Sequence, residues 1–424
     1  MKALILPLIA GLLTTGAASA TPKLAWHACH DGLECSALEV PADWTRPSAT
    51  IALPLVKLPA RADRLGTLVV NPGGPAAVTR NFALPGYRDQ FADLAARFDV
   101  VVVDPRGLDV TCPTAAPPAL PSPLSPDAHA AYAAANARFA ATCPPPGPLH
   151  ARQVARDLDA LRRALGERRL NYFGNSYGTV YGQAYAALFG HRVGRMYLDS
   201  AFDHTTPDLA EWVRPGAVTA ERNLHRMAAW CAEDPACALH GQDVLAVWDR
   251  VAVDPVVLNW AAARIGNDRS WPAIATALVE GVTTGPTVPD HRLARTALCS
   301  DFAFPDDFES LERVEDGLRA VAPRIGWAVQ PWRVSGHCSG LPRTDLDPPA
   351  PFDAPGLPPV LVANGEHDPL TPAAHGRRVA ALLHAAYLPT AGNHGLYLRG
   401  NTCVRDHVHR YLWTGTLPPR DARC

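Results

Sequence analysis

The chain has 424 residues, 48% hydrophobic and 19% charged, a globular composition that excludes a disordered or fibrous protein. Its 39 basic and 41 acidic residues leave a net charge of −2, so there is no basic excess to grip nucleic acid. The 42 prolines demand long extended or looped connections, because proline breaks helix and sheet interiors.

Residues 1–20 have the form of a cleavable signal peptide. Lys2 precedes an apolar run, Ala3 to Leu13, too short to span a bilayer, and Ala18-Ser19-Ala20 forms an A-x-A cleavage site. The expected mature protein is therefore secreted or periplasmic. No other stretch is apolar for long enough to predict a membrane span. In an oxidising compartment the 10 cysteines are expected to form disulfides. Proximity along the chain suggests Cys29–Cys35, Cys112–Cys143, Cys231–Cys237, Cys299–Cys338 and Cys403–Cys424. A zinc site from His27, Cys29, His30 and Cys35 is the rival reading, but its spacing is poor and no metal is expected.

Leu38 to Trp44 and Ile51 to Leu58 look like two opening strands. Gly66 to Asn71 and Phe98 to Asp104 are short, fully apolar strands, the pattern of a parallel sheet buried on both faces. Tyr87 to Phe98 has helical spacing. The stretch Pro113 to Pro126 has no period and reads as a loop. A helix is expected over Gln153 to Leu165, with Val154, Leu158, Leu161 and Leu165 on one face. A strand at Asn171 to Gly174, a helix at Tyr177 to Phe189 and a strand at Arg195 to Asp199 follow. Residues 203–345 abandon this rhythm for helical patterns and suggest an inserted helical cap. It divides a core running over 21–202 and 346–424. The rhythm resumes with strands at Pro359 to Asn364 and Ala386 to Pro389, separated by a helix at Pro372 to Leu383. A last helix is expected over Val404 to Trp413.

The chemistry concentrates at Gly174-Asn175-Ser176-Tyr177-Gly178. A serine between a buried strand and a helix needs a sharp turn, and both flanking glycines avoid Cβ clashes there. The turn presents Ser176 at the carboxyl end of the sheet and at a helix N-terminus. A serine hydroxyl needs a base oriented by an acid, and in this arrangement the chain order is Ser, acid, His. Asp368 follows a late strand; Glu366 and Asp199 compete with it. His394, between glycines after the final strand, is the expected base. His375, His407 and His409 lie on helices and read as surface residues. Two backbone N–H groups should hold the tetrahedral intermediate, that of Tyr177 and that of Gly74, with Gly73 in reserve because Pro75 has none.

These motifs, with DPRG at 104–107, LDSAFD at 198–203, GEHDPLTP at 365–372 and the Cys403-to-Cys424 tail, resemble the secreted tripeptidyl aminopeptidases and proline iminopeptidases. The resemblance covers nearly the whole mature chain. It implies an α/β-hydrolase fold, mostly parallel sheet flanked by helices with an inserted helical cap, acting as a cofactor-free serine exopeptidase on peptides. It also implies that Arg106 is structural and that Asp301 binds the substrate amine. The segments Ala76-Ala77-Val78 and Leu108-Asp109-Val110 depart from the family pattern and bear on substrate preference. An esterase with the same triad and a binding protein on a decayed hydrolase fold are the alternatives.

Overall fold

The computed structural model describes residues 24–118, 123, 125–282, 289–329 and 336–424. The expected signal peptide lies outside them. Among the described residues nine strands form one sheet: β1 (His27–His30), β2 (Leu33–Pro41), β3 (Thr50–Leu58), β4 (Thr67–Asn71), β5 (Asp99–Val103), β6 (Leu170–Asn175), β7 (Val193–Asp199), β8 (Leu361–Gly365) and β9 (Ala386–Thr390). Their order is β1-β2-β3-β5-β4-β6-β7-β8-β9. The first three and the β3–β5 pair are antiparallel; from β5 through β9 every pairing is parallel.

The apolar runs that predicted burial on both faces have that burial. Val69 and Val101 face one core, while Leu68, Val70, Val100 and Val102 face another. Alternate side chains of a strand point to opposite faces, so one short run serves two cores. Helices Ala151–Ala164, Gly178–Phe189 and Ala373–Leu382 cover the first face; Thr402–Thr414 covers the second with Val404, Val408, Tyr411 and Leu412.

Between β7 and β8 the described residues build helices, the longest Leu209–Glu233. Trp212, Phe302 and Phe304 of this insertion continue the apolar cluster of the first face. Among the described residues no helix is long and apolar enough to cross a membrane.

Parts of the expected fold differ from the structure. Tyr87 to Phe98 is not one helix but a short helix, Pro85–Arg88, and two 3-10 turns, Asp89–Phe91 and Leu94–Ala96. Its period still buries Phe91, Leu94, Ala95 and Phe98. An unforeseen helix, Pro126–Thr142, begins where the proline-rich loop ends; the Ser125 hydroxyl accepts its Ala128 N–H at 3.2 Å. His375 is no surface residue. It is buried, with Nε2 at 2.8 Å from the Trp212 carbonyl, because its helix packs under the insertion.

The cysteines lie in five pairs with Cα–Cα distances of 5.7, 5.4, 5.1, 5.5 and 5.7 Å, within disulfide range. The pairs join chain neighbours, and Cys29 and Cys35, weighed as zinc ligands, face each other.

Candidate active site

Ser176 sits between β6 and the helix Gly178–Phe189 with φ +53°, a left-handed conformation that is uncommon for a non-glycine residue. Its neighbours make the turn possible. A Cβ on Gly174 would lie 2.5 Å from the Gly178 carbonyl oxygen, and one on Gly178 would lie 2.5 Å from that of Asn71. The strained serine is held by its own backbone: its N–H donates to the Asp199 carbonyl at 2.9 Å. Its carbonyl accepts the Thr179 hydroxyl at 2.6 Å.

The loop after β4 lies against this elbow. A Cβ on Gly73 would stand only 3.1 Å from the Ser176 Cβ, and its φ of +115° is itself one that favours glycine. Asn175 Nδ2 donates to the Pro72 carbonyl at 2.9 Å, and Asn71 Oδ1 accepts the Gly73 N–H at 3.0 Å. Asp104, at the end of β5, clasps the far side of the loop. Its carboxylate accepts Val78 N–H at 2.5 Å, Thr79 N–H at 2.8 Å and the Thr79 hydroxyl at 2.7 Å. The divergent Ala76-Ala77-Val78 segment is thus tied to the sheet through its last residue.

Asp368 follows β8 and is fully buried. Its Oδ1 accepts Leu370 N–H at 2.9 Å and Thr371 N–H at 3.2 Å. Its Oδ2 lies 2.8 Å from His394 Nδ1 and also accepts the Thr371 hydroxyl. Thr371 Oγ1 in turn lies 3.1 Å from His394 Nδ1, so it braces both partners. Sequence reasoning missed Thr371; its only signal was a hydroxyl three residues beyond the acid.

The competing acids have other positions. Asp199 is buried at the end of β7 and accepts Leu396 N–H at 3.1 Å and Tyr397 N–H at 2.7 Å. The Ser200 hydroxyl accepts Gly395 N–H at 2.8 Å. Together they pin the chain just after His394 to the same strand end that holds the Ser176 backbone. Glu366 is exposed. The structure therefore joins Asp368 to His394 and brings their loops to the elbow, with Gly395 beside Asn175. Among the described residues Ser176 Oγ forms no hydrogen bond with His394. Such bonds are commonly loose without substrate and tighten on binding.

The electrostatics follow the geometry. Burial pushes Asp368 up, but the His394 charge and the hydrogen bonds from His394 and Thr371 prevail, and its pKa falls below the ordinary carboxyl value. Burial lowers His394, but the Asp368 charge and hydrogen bond, with Asp199, prevail and raise it above the ordinary imidazole value. For His394 to serve as the base expected from the sequence it must be neutral, and kcat/KM is then expected to rise with pH through a midpoint above 6.5. A pH–rate profile with its acid limb centred below that value would contradict this placement. The linked stability has two edges. The His394 contribution is complete below the unfolded imidazole pKa and is lost as pH rises through the raised folded value. The Asp368 contribution is present above the unfolded carboxyl pKa and is lost as pH falls through the lowered folded value.

Tyr177 is buried among Tyr181, Phe202 and Phe302, with ring centroids at 5.4, 6.1 and 6.1 Å. Its hydroxyl donates to Asp301 Oδ2 at 2.6 Å. This corrects the expectation for Asp301. The residue has no exposed surface, its Oδ1 accepts the Ala151 N–H at 2.6 Å, and both oxygens are engaged within the chain. With no exposed surface, the carboxylate offers a substrate amine no approach in this structure. Asp301 instead bolts the insertion to the tyrosine next to Ser176. Arg106 is buried, as the structural reading requires, in a two-point pair with Asp157: Nε to Oδ2 at 2.8 Å and Nη2 to Oδ1 at 2.6 Å. Its Nη1 and Nη2 also donate to the Ala42 and Pro41 carbonyls.

Comparison with known proteins agrees with this architecture. The chain is 29% identical over 457 aligned positions to Serine protease Hip1 of Mycobacterium tuberculosis, covering 93% of this chain and 87% of that protein. It is 27% identical to Tripeptidyl aminopeptidase of Streptomyces lividans, covering 92% and 83%. It is 28% identical to Carboxylesterase B of Mycobacterium tuberculosis, covering 97% and 92%. The family profile of the alpha/beta hydrolase fold matches residues 66–397, most of the chain. With nine strands in this order and a serine at the elbow after β6, the chain belongs to the α/β-hydrolase family.

Proposed function

We propose that the protein is a secreted serine exopeptidase that releases short N-terminal pieces from peptides through an acyl-enzyme. The observation that carries this reading is the Asp368–His394 pair, 2.8 Å apart, on loops packed against the strained Ser176 turn. With Nδ1 engaged by Asp368, His394 has Nε2 for the serine. In the first half-reaction Nε2 takes the Ser176 proton as Oγ bonds the scissile carbonyl carbon. The Tyr177 and Gly74 N–H groups receive the developing oxyanion. The imidazolium then gives its proton to the leaving amine as the C–N bond breaks. In the second, His394 takes a proton from water as the water oxygen bonds the acyl carbon, then returns that proton to Ser176 Oγ as the acyl–Oγ bond breaks and the acid product leaves.

The helical insertion, 203–345, serves as the cap and closes one end of the cleft, which favours attack near a chain terminus. The names of two relatives, a serine protease and a tripeptidyl aminopeptidase, support peptide substrates. Paired cysteines and the A-x-A segment at Ala18–Ala20 support export.

A second reading has its own support, since another relative is named a carboxylesterase. Amides need protonation of the leaving group more than esters do. A panel of p-nitroanilides with free or blocked N-termini, set against p-nitrophenyl esters, separates the two. The exopeptidase should hydrolyse free-amine anilides and lose them when the amine is acylated. Turnover of esters alone would leave the esterase reading.

A further inference from the structure

The loop that carries Asp368 has a second face. There Arg222, His225 and Arg226 of the helix Leu209–Glu233, His367 of the loop and Arg377 of the helix Ala373–Leu382 line a cleft of about 570 Å³. Glu366 is the one carboxylate in the lining. In a chain of net charge −2 this is a local concentration of positive charge. Its arginines meet neutral groups rather than carboxylates within the chain, Arg377 sharing a hydrogen bond with the Tyr387 hydroxyl. Arg222 reaches the Thr219 hydroxyl at 3.1 Å and the Glu366 carbonyl at 3.5 Å, and Arg226 reaches Asn223 Oδ1 at 3.1 Å. Among the described residues none of Arg222, Arg226 and Arg377 makes an ion pair, whereas neighbouring Arg378 pairs with Asp203 and Glu211.

The arrangement is built rather than scattered. Arg222 and Arg226 are one helical turn apart, a spacing at which like charges repel unless an anion lies between them. The Arg226 guanidinium stands 5.2 Å from the Trp271 ring centroid, which limits its swing. Asn223 Nδ2 donates to the His367 carbonyl at 2.9 Å and fixes the loop to the helix. Burial, and then Arg226 and Arg222, hold the His367 imidazole below its ordinary pKa, against Glu366 and Asp268. A bound anion would relieve that repulsion.

We propose that this cleft is an oxyanion site, taking a carboxylate or phosphate group in guanidinium forks beside the loop of the catalytic acid. The site itself does not depend on the peptidase reading. Two sources share the chemistry: an acidic residue of a peptide substrate, which does rest on that reading, and a free multivalent anion.

Calorimetry on the full chain tests it, with sodium phosphate and with citrate at about 0.01 M ionic strength, where screening is weak. Saturable binding is expected. It should weaken roughly tenfold or more in the Arg222→Glu/Arg226→Glu variant, as expected for losing charge-assisted bonds. Arg377→Glu, on a separate helix, should weaken it too and covers the case in which the double variant fails to fold. No saturable binding by the native protein, or equal binding by a folded charge-reversed variant, overturns the proposal. Matched peptides with Glu or Gln then identify the source. A lower KM for Glu peptides that vanishes in the Arg377→Glu protein assigns the substrate carboxylate. Phosphate binding without that difference assigns a free anion. Should no peptide be cleaved at all, calorimetry still reads the site.

Discussion

Replacing Ser176 by Ala is expected to reduce kcat by roughly 10⁴- to 10⁶-fold while leaving the protein folded. The alanine methyl fits wherever the serine Cβ fits, so the left-handed turn persists and the Asp199 and Thr179 backbone bonds survive. What disappears is the only atom at the elbow that can bond an acyl carbon. Residual turnover would come from the oxyanion donors and from substrate positioning, which is why loss to the uncatalysed rate is not expected. Steady-state kinetics on a free-amine anilide, with a fluorophosphonate label as a second readout, measure both effects. Near-native turnover by the alanine protein would end the nucleophile assignment, whereas a native chain that neither turns over substrate nor takes the label would leave the decayed-hydrolase alternative.

The largest stability effect is expected at Arg106. Removing its guanidinium by Arg106→Ala leaves the buried Asp157 without its two-point partner and the Ala42 and Pro41 carbonyls without donors. Trp44 Nε1, at 2.7 Å from Asp157 Oδ1, is then the main remaining donor. Breaking one half of a buried ion pair costs about 3 to 5 kcal/mol. Burial already pushes Asp157 above the ordinary carboxyl value, so the orphaned group would take up a proton. Urea unfolding of the variant measures the loss. Adding Asp157→Leu should return part of it, because an apolar pair does not carry the desolvation cost. If the single variant is as stable as the native chain, the pair is not what holds the β2 end to the helix Ala151–Ala164.

How much of this was legible in the sequence varies with the physical signal. The central strands were readable because burial on both faces leaves unbroken apolar runs such as the VVVV of β5. The elbow was readable because its two glycines are required sterically, which a sequence displays directly. The helix Pro126–Thr142 was not, since its alanines give little contrast between faces and its buried residues are only Tyr132, Asn136 and Phe139. A cap signal was present in Ser125-Pro126-Asp127. His375 misled because a histidine on a helix says nothing about what packs over it; here the insertion does. Asp301 misled for a related reason. Sequence places an acid near a site but does not reveal which neighbours have already claimed its oxygens. Thr371 and Asp104 act through hydrogen bonds across loops, and no periodicity encodes those.

The Asp301 contact has a practical corollary for engineering. Anyone grafting a foreign lid onto this scaffold to alter selectivity must supply an acceptor where Asp301 stands. Without it the Tyr177 hydroxyl and the Ala151 N–H, both deep in the interior, would face an apolar void. Such a chimera should express poorly even if its new surface fits the intended substrate.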